Sequence, residues 1–252
     1  MSQISDNQVR ITGGELHHLV DVVRLRKGDE ITVLDGAGGV YEVVLASCTR
    51  DVAVGEVKKH RQIEPPAVGV ALFVGLPKAD KMDMIVQKAT ELGAHEIAPV
   101  LCQRSVPQPS AQRAERRVAR WRQIAVEASK QSRRPFFPTI SHLLHLEKTL
   151  DEFHSDLKLI FVPHTSLATY CQYSISPDRL KDVLGQNTGA REMSIFIGPE
   201  GGFTEDEVSR AISTGAVPVS LGSNILRTET AAIAALAIVL YETDAACSEL
   251  DA

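Results

Sequence analysis

Two short runs near the C-terminal end of the chain hold residue types that can do chemistry. The first is Ile197-Gly198-Pro199-Glu200-Gly201-Gly202-Phe203. Gly198, Gly201 and Gly202 let backbone N–H groups approach a ligand closely. The run leaves an apolar segment, Met193 to Ile197, and enters Thr204-x-x-Glu207, the capping-box pattern of a helix N-terminus. Positions outside the carboxyl ends of parallel strands are where α/β proteins bind ligands. An ordinary tight turn explains the same composition, and both readings stay open on composition alone. No Gly-Lys-Ser/Thr follows, which excludes a Walker loop. Pro199 and Glu200 break the spacing of the G-x-G-x-x-G dinucleotide fingerprint.

The second run is Leu221-Gly222-Ser223-Asn224-Ile225-Leu226-Arg227-Thr228-Glu229-Thr230. It again joins a short strand to a helix through a glycine, with Arg227 to Thr230 expected in the first helical turn. A cation is unfavourable at the positive end of a helix dipole. Arg227 is therefore expected to point at something negative, or to pair with Glu229 or Glu200. A surface ion pair is the plainer reading, and Thr228 can serve as the N-cap.

The elements that must position these runs follow from periodicity. From residue 67 apolar strands alternate with helices, the pattern of an α/β domain with a mostly parallel sheet. Val68 to Leu76, Glu96 to Leu101, Leu157 to Val162, Met193 to Ile197 and Val217 to Leu221 read as strands. Asp80 and Ser110 are placed to cap helices. Gly93 and Pro135 are placed to stop them. Leu226 to about Thr243 is an alanine-rich helix, suited to close packing or to full burial. Residues 1–62 read mostly as short strands (Asp29 to Leu34, Val40 to Ala46, Val52 to Val57) with one amphipathic helix through Leu16, Leu19, Val20 and Val23. That pattern suggests a small barrel. Pro65-Pro66 marks a stiff linker, which predicts one domain over 1–66 and another over 67–252.

Charge and cysteine content narrow the class. The net charge of −5 argues against a nucleic-acid partner, but residues 113–134 carry a local charge of +6, compatible with phosphate binding. Arg113, Arg117 and Arg120 share a helical face, which is otherwise a solvated one. Cys48, Cys102, Cys171 and Cys247 form no Cys-x-x-Cys pair, so neither a zinc site nor a redox motif is expected. Sparse cysteines, a polar N-terminus and a longest apolar run (Ala231 to Tyr241) about half the ~20 residues needed to span a bilayer predict a soluble cytoplasmic protein.

Taken together, Gly198-Pro199-Glu200-Gly201-Gly202-Phe203 and Leu221-Gly222-x-x-Ile225-Leu226-Arg227-x-Glu229-Thr230-Ala231 resemble the signature of the SPOUT methyltransferases. Three further stretches are similar to one family within them, the RsmE 16S ribosomal RNA uridine-N3 methyltransferases. These are His17-His18-Leu19-x-x-Val22-Val23-Arg24-Leu25-Arg26-x-Gly28-Asp29, Lys81-Met82-Asp83-x-Ile85-Val86-Gln87-Lys88-Ala89-Thr90-Glu91-Leu92-Gly93, and Glu127-Ala128-x-x-Gln131-Ser132-x-Arg134 with Pro138. The resemblance implies a PUA-like RNA-binding β-barrel followed by a trefoil-knotted parallel-sheet domain. It also implies a homodimer acting on 16S rRNA or the small ribosomal subunit. S-adenosylmethionine would be held by the segment after Phe161 and by Gly198, Glu200, Gly201, Gly202, Leu221, Gly222, Ile225, Leu226 and Thr230, with no metal and no membrane. Phe161-Val162-Pro163-His164 departs from the family pattern of a small residue followed by an acidic one, and His164 is assigned no chemistry.

Methylation at N3 must accommodate a deprotonated uracil, and a cation aimed at its oxygens would stabilise that anion. Arg227 is the candidate, with Glu200 and Glu229 as candidate bases or as holders of Arg227. Arg24, Arg26, Arg104, Arg113, Arg117, Arg120 and Arg134 are expected to meet RNA. His17 and His18 face the choice between RNA contact and structure, and at least one is expected to be structural. The competing readings are a ribose 2′-O-methyltransferase of the same superfamily and a non-catalytic ribosome-assembly factor.

Overall fold

The computed structural model describes residues 3–5, 7–163 and 178–243. His164, Cys171 and Cys247 lie outside the described residues. The chain divides into two units, one of residues 1–65 with 134–136 and one of 66–133 with 137–252.

The first unit is an antiparallel sheet in the order β1-β2-β5-β4-β3, formed by β1 (Gln3–Ser5), β2 (Gln8–Ile11), β3 (Glu30–Leu34), β4 (Gly39–Cys48) and β5 (Ala53–Gln62). β1 and β2 were not legible in the sequence pattern. Val9, Ile11, Val33, Val43, Leu45 and Ala53 form its core with Leu16 and Leu19. The expected single helix is instead α1 (Gly13–His17) followed by a π-type turn (His18–Val22). That turn rotates the stripe, so Leu16 and Leu19 are buried while Val22 and Val23 are 60% and 51% exposed. Both His17 and His18 are exposed, and His17 Nδ1 lies 2.5 Å from Asp21 Oδ2 one turn on.

The second unit is a sheet in the order β11-β13-β10-β12-β6-β7-β8. Its strands are β6 (Gly69–Gly75), β7 (Glu96–Leu101), β8 (Thr139–Ile140), β9 (Leu144–His145, beside β7), β10 (Leu157–Phe161), β11 (Asp178–Arg179), β12 (Glu192–Ile197) and β13 (Ala216–Ser220). Every pairing in it is parallel. Its central strands are largely apolar because both faces are covered. Val70, Leu72 and Val74 of β6 face α2 (Lys81–Leu92), α3 (Ala111–Gln131), α5 (Leu180–Gln186) and α7 (Thr228–Glu242). Phe73 faces the other way, toward α4 (Leu146–Glu152) and α6 (Glu205–Ser213), and stacks on Phe196.

The helix ends follow their local chemistry. Gly93 closes α2 at φ +116°, a conformation that glycine adopts without a Cβ clash. Thr204 opens α6 with the expected capping box: its hydroxyl accepts the Glu207 N–H, and Glu207 Oε2 accepts the Thr204 N–H. Asp80 and Ser110 sit at N-cap positions, but neither side chain makes a capping bond. α2 and α3 are tied by Asp83 instead. It accepts from Arg120 Nε and a terminal guanidinium nitrogen at 2.9 and 2.6 Å, and from Trp121 Nε1 at 2.9 Å. Among the described residues no helix is long and apolar enough to cross a membrane.

α7 is apolar on nearly every side, and its small residues bring it close to the sheet. Ala232, Ala235, Leu236 and Val239 are fully buried against β6, β12 and α2. Enlarging Ala235 to leucine should cost about 1–3 kcal/mol by overpacking. Urea unfolding followed by the fluorescence of Trp121, the single tryptophan, measures the loss.

Candidate functional site

Register puts the two chemistry-bearing runs side by side. β10 pairs on one side with β12 (Phe161 opposite Ile197) and on the other with β13 (Phe161 opposite Val219). The strands are parallel, so the chain leaves all three at the same edge. The segments Phe161–Pro163, Ile197–Phe203 and Ser220–Thr228 there enclose a pocket of about 390 Å3, with Lys81 and Ala231 completing its wall. Small-molecule sites fall in the range of about 300–1,000 Å3. The walls are mostly apolar: Phe161, Val162, Ile197, Leu221, Ile225 and Leu226.

The glycine loop is held from several sides. The end of β6 passes so close that a Cβ on Gly75 would lie 2.4 Å from Pro199 Cδ, so only glycine fits there. Arg104, in the loop after β7, donates to Gly201 O at 3.1 Å and Phe203 O at 3.2 Å. The Gln103 N–H donates to Glu207 Oε1 at 2.7 Å, which satisfies the second oxygen of that buried carboxylate. Gly202 takes φ +68° at the turn.

Glu200 turns back toward α2. The Lys78 N–H donates to both its carboxylate oxygens, at 3.1 and 3.3 Å, and Lys81 Nζ donates to Oε1 at 3.0 Å. Partial burial pushes its pKa up. Hydrogen bonds from its own backbone, Lys81 and Lys78 outweigh that and hold the carboxyl below its ordinary value. Lys81 Nζ also lies 3.4 Å from Glu229 Oε2. The Glu200 hydrogen bond, with both glutamate charges, raises the pKa of this lysine despite a smaller opposing effect of burial.

The sequence expectations map unevenly onto this geometry. Gly198, Glu200, Gly202, Leu221, Gly222, Ile225, Leu226 and Arg227 line the pocket. Gly201, Glu229 and Thr230 do not: Gly201 backs onto Arg104, and Thr230 is exposed. Arg227 pairs with neither Glu200 nor Glu229, contrary to one expectation, because both carboxylates are taken by Lys81. Arg227 sits at the N-cap position in extended conformation and Thr228 begins the helix, so Thr228 is not the cap. Among the described residues the exposed Arg227 guanidinium makes no hydrogen bond or ion pair.

Of the arginines expected at RNA, Arg24, Arg26, Arg104, Arg113 and Arg120 are exposed. Arg24 has φ +63°, and the Arg26 N–H donates to Asp29. Arg104 and Arg120 hold the intramolecular bonds already described. Arg117 donates to Ala79 O at 3.5 Å and lies over the Trp121 ring. Arg134 is half-buried.

Lys81 falls within one of the stretches that carry the family resemblance, but the sequence pattern gives it no role. The signal that singled out Arg227 applies equally to it: a cation at a helix N-terminus, where the dipole is unfavourable. Among the described residues no cluster of His, Cys, Asp or Glu is arranged to hold a metal.

Comparison with known proteins bears on what this pocket takes. A family model described as an RNA methyltransferase domain matches residues 64–240, and one described as an RNA methyltransferase PUA domain matches residues 11–54. The chain is 36% identical over 237 residues to a Synechocystis protein named ribosomal RNA small subunit methyltransferase E, covering 93% of this chain and 73% of that protein. It is 33% identical to the Bacillus subtilis protein of the same name, covering 93% and 90%. A crystal structure of a ribosomal RNA small subunit methyltransferase E from Neisseria gonorrhoeae, bound to S-adenosyl methionine, superposes with a TM-score of 0.83. It is 28% identical, with 96% of this chain and 95% of that chain covered.

The hydrogen bonds to Glu200 generate a pH prediction. A carboxyl whose folded pKa is depressed contributes stability that is complete above its unfolded value and is lost as pH falls through the folded one. Carboxyl-detected NMR should therefore find Glu200 titrating below the ordinary glutamate value of about 4.3. The Lys81–Glu200 contact should persist at neutral pH and be lost only under more acidic conditions.

Proposed function

The chain belongs to the ribosomal RNA small subunit methyltransferase E family, and from that premise we propose that it methylates N3 of a uridine in 16S ribosomal RNA, using S-adenosylmethionine. The observation that carries the reading is the pocket at the shared carboxyl edge. Its apolar walls and volume suit an adenosine-sized ligand, and it presents one guanidinium with no partner among the described residues. The cofactor bound by the Neisseria relative supports the same choice.

Gly198, Gly202, Leu221, Gly222, Ile225 and Leu226 would hold the cofactor. When bound, S-adenosylmethionine supplies a methyl carbon made electrophilic by its sulfonium. The protein's part is to orient the base and tolerate charge. Uridine N3 must shed its proton to water as it becomes nucleophilic, leaving negative charge on O2 and O4. Arg227 is the group for those oxygens, because the charge of Lys81 is already shared between two glutamates. Glu200 is a weak proton acceptor, since its hydrogen bonds favour the ionised form. Glu229 does not line the pocket and faces Lys81, so both glutamates act here by holding that lysine, and neither takes the N3 proton.

Domain roles and assembly belong to the same proposal. Residues 1–66 form a PUA-like barrel that docks RNA through Arg24 and Arg26, and residues 67–252 form the methyltransferase domain, with Arg113 available to phosphate. A knotted path is supported by the sheet order: β13 lies beside β10 on the side away from β12, and α7 then returns to pack on β12, β6 and α2. A homodimer is supported by apolar residues left exposed in the loop before α7 and near the far end of that helix. Ile225 is 75%, Ile238 41% and Tyr241 77% exposed.

Two experiments test this. Arg227→Ala should lower methyl transfer to the small subunit by about 10²–10³-fold, the usual cost of removing one anion-stabilising donor. Its affinity for S-adenosylmethionine, measured by calorimetry, should fall far less. Unchanged turnover would remove Arg227 from the reaction. Tyr241→Glu should shift the sedimenting species toward the mass of one chain, and an unshifted dimer would place the interface elsewhere.

A further inference from the structure

We propose that Lys81 is the positioning residue of the pocket: its ammonium, shared between Glu200 and Glu229, ties the glycine loop to the start of α7 and so sets where Arg227 stands. The proposal rests on the functional reading above for its consequence, but its structural part stands apart from it.

Lys81 is the first residue of α2, an element that belongs to neither loop it touches. Glu200 lies in the loop after β12, and Glu229 in the first turn of α7. One side chain therefore cross-links two segments that are far apart in sequence and that wall the pocket on different sides. The lysine side chain is 30% exposed, and those of Glu200 and Glu229 are 27% and 14% exposed. The contacts are thus partly shielded from solvent and salt, where ion pairs act more strongly than at an open surface.

The two ends of the tie are not equivalent. Glu200 keeps hydrogen bonds from its own backbone and from Lys78 whether or not the lysine is present. Glu229 has no such reserve. Its Oε2 is buried and makes no hydrogen bond, and among the described residues Lys81 is the cation that faces it. Removing the lysine would leave a shielded carboxylate without a counter-charge, which is costly. The relief available is for Glu229 to swing outward. That motion pulls on the first turn of α7, where the Ala231 N–H donates to Arg227 O at 2.8 Å. Lys81 thereby acts on Arg227 through Glu229 without any contact of its own to Arg227. The cation must be present, whereas the particular ammonium need not be. A second-site change that removes the stranded charge should also compensate.

The test uses the full chain and two readouts. Hydrogen exchange on the ligand-free protein follows the Ala231 amide, and calorimetry follows binding of S-adenosylmethionine. Lys81→Met should speed exchange at Ala231 about tenfold and weaken cofactor binding by about the same factor, as expected for coupled neighbours. Lys81→Arg should recover most of both losses. Glu229→Gln placed in the Lys81→Met background should recover part of both, because no charge is then stranded. Unaltered exchange at Ala231 in Lys81→Met overturns the tie. So does a loss that neither Lys81→Arg nor the Glu229→Gln double variant relieves, since it would mark mere damage to packing. Failure of the unmodified protein to take up S-adenosylmethionine would overturn the functional reading alone, and the exchange data would still decide the role of Lys81.

Discussion

Parallel pairing of β10 with both β12 and β13 is the constraint on which the site depends. Parallel strands leave the sheet at the same edge, and the register brings Phe161, Ile197 and Val219 abreast there. The three segments that follow have no choice but to meet. The sheet can adopt this arrangement because helices cover both faces, which takes strands that are apolar on both sides. α7 closes the structure from below, and its run of alanines lets it lie against the sheet closely enough for its first turn to reach the pocket.

Electrostatics then divides labour among few groups. Lys81 is neutralised by Glu200 and Glu229, and Arg104 is spent on the carbonyls of Gly201 and Phe203. Arg227 is left as the cation of the pocket with no partner among the described residues, at the point where helix α7 begins. An arginine facing the positive end of a helix costs free energy in the resting protein. An anion forming nearby would offset that cost.

Much of this was legible in the amino-acid order, for identifiable reasons. The apolar strands of the second unit, the capping box at Thr204 and the stop at Gly93 follow from local rules that tertiary packing did not override. The glycine loop was recognisable through its resemblance to a family signature, since its composition alone fits an ordinary tight turn equally well. Pairing partners were not legible. Glu200 reaches a lysine 119 positions earlier, and Asp83 an arginine 37 positions later, so neither local pattern contains the answer. β8, β9 and β11 span two residues each, too short to carry a period. Gly75 gave no signal either, because its role is to leave room for Pro199, a residue distant in sequence. The π-type turn at His18–Val22 broke a helical stripe that periodicity alone would have continued.

The central claim concerns which atom receives the methyl group. Small subunits from cells lacking this enzyme, incubated with the purified protein and isotopically labelled S-adenosylmethionine, can be digested to nucleosides and analysed by mass spectrometry. The account predicts label in N3-methyluridine from 16S rRNA. Label in a 2′-O-methylated nucleoside, or no transfer at all, would contradict it.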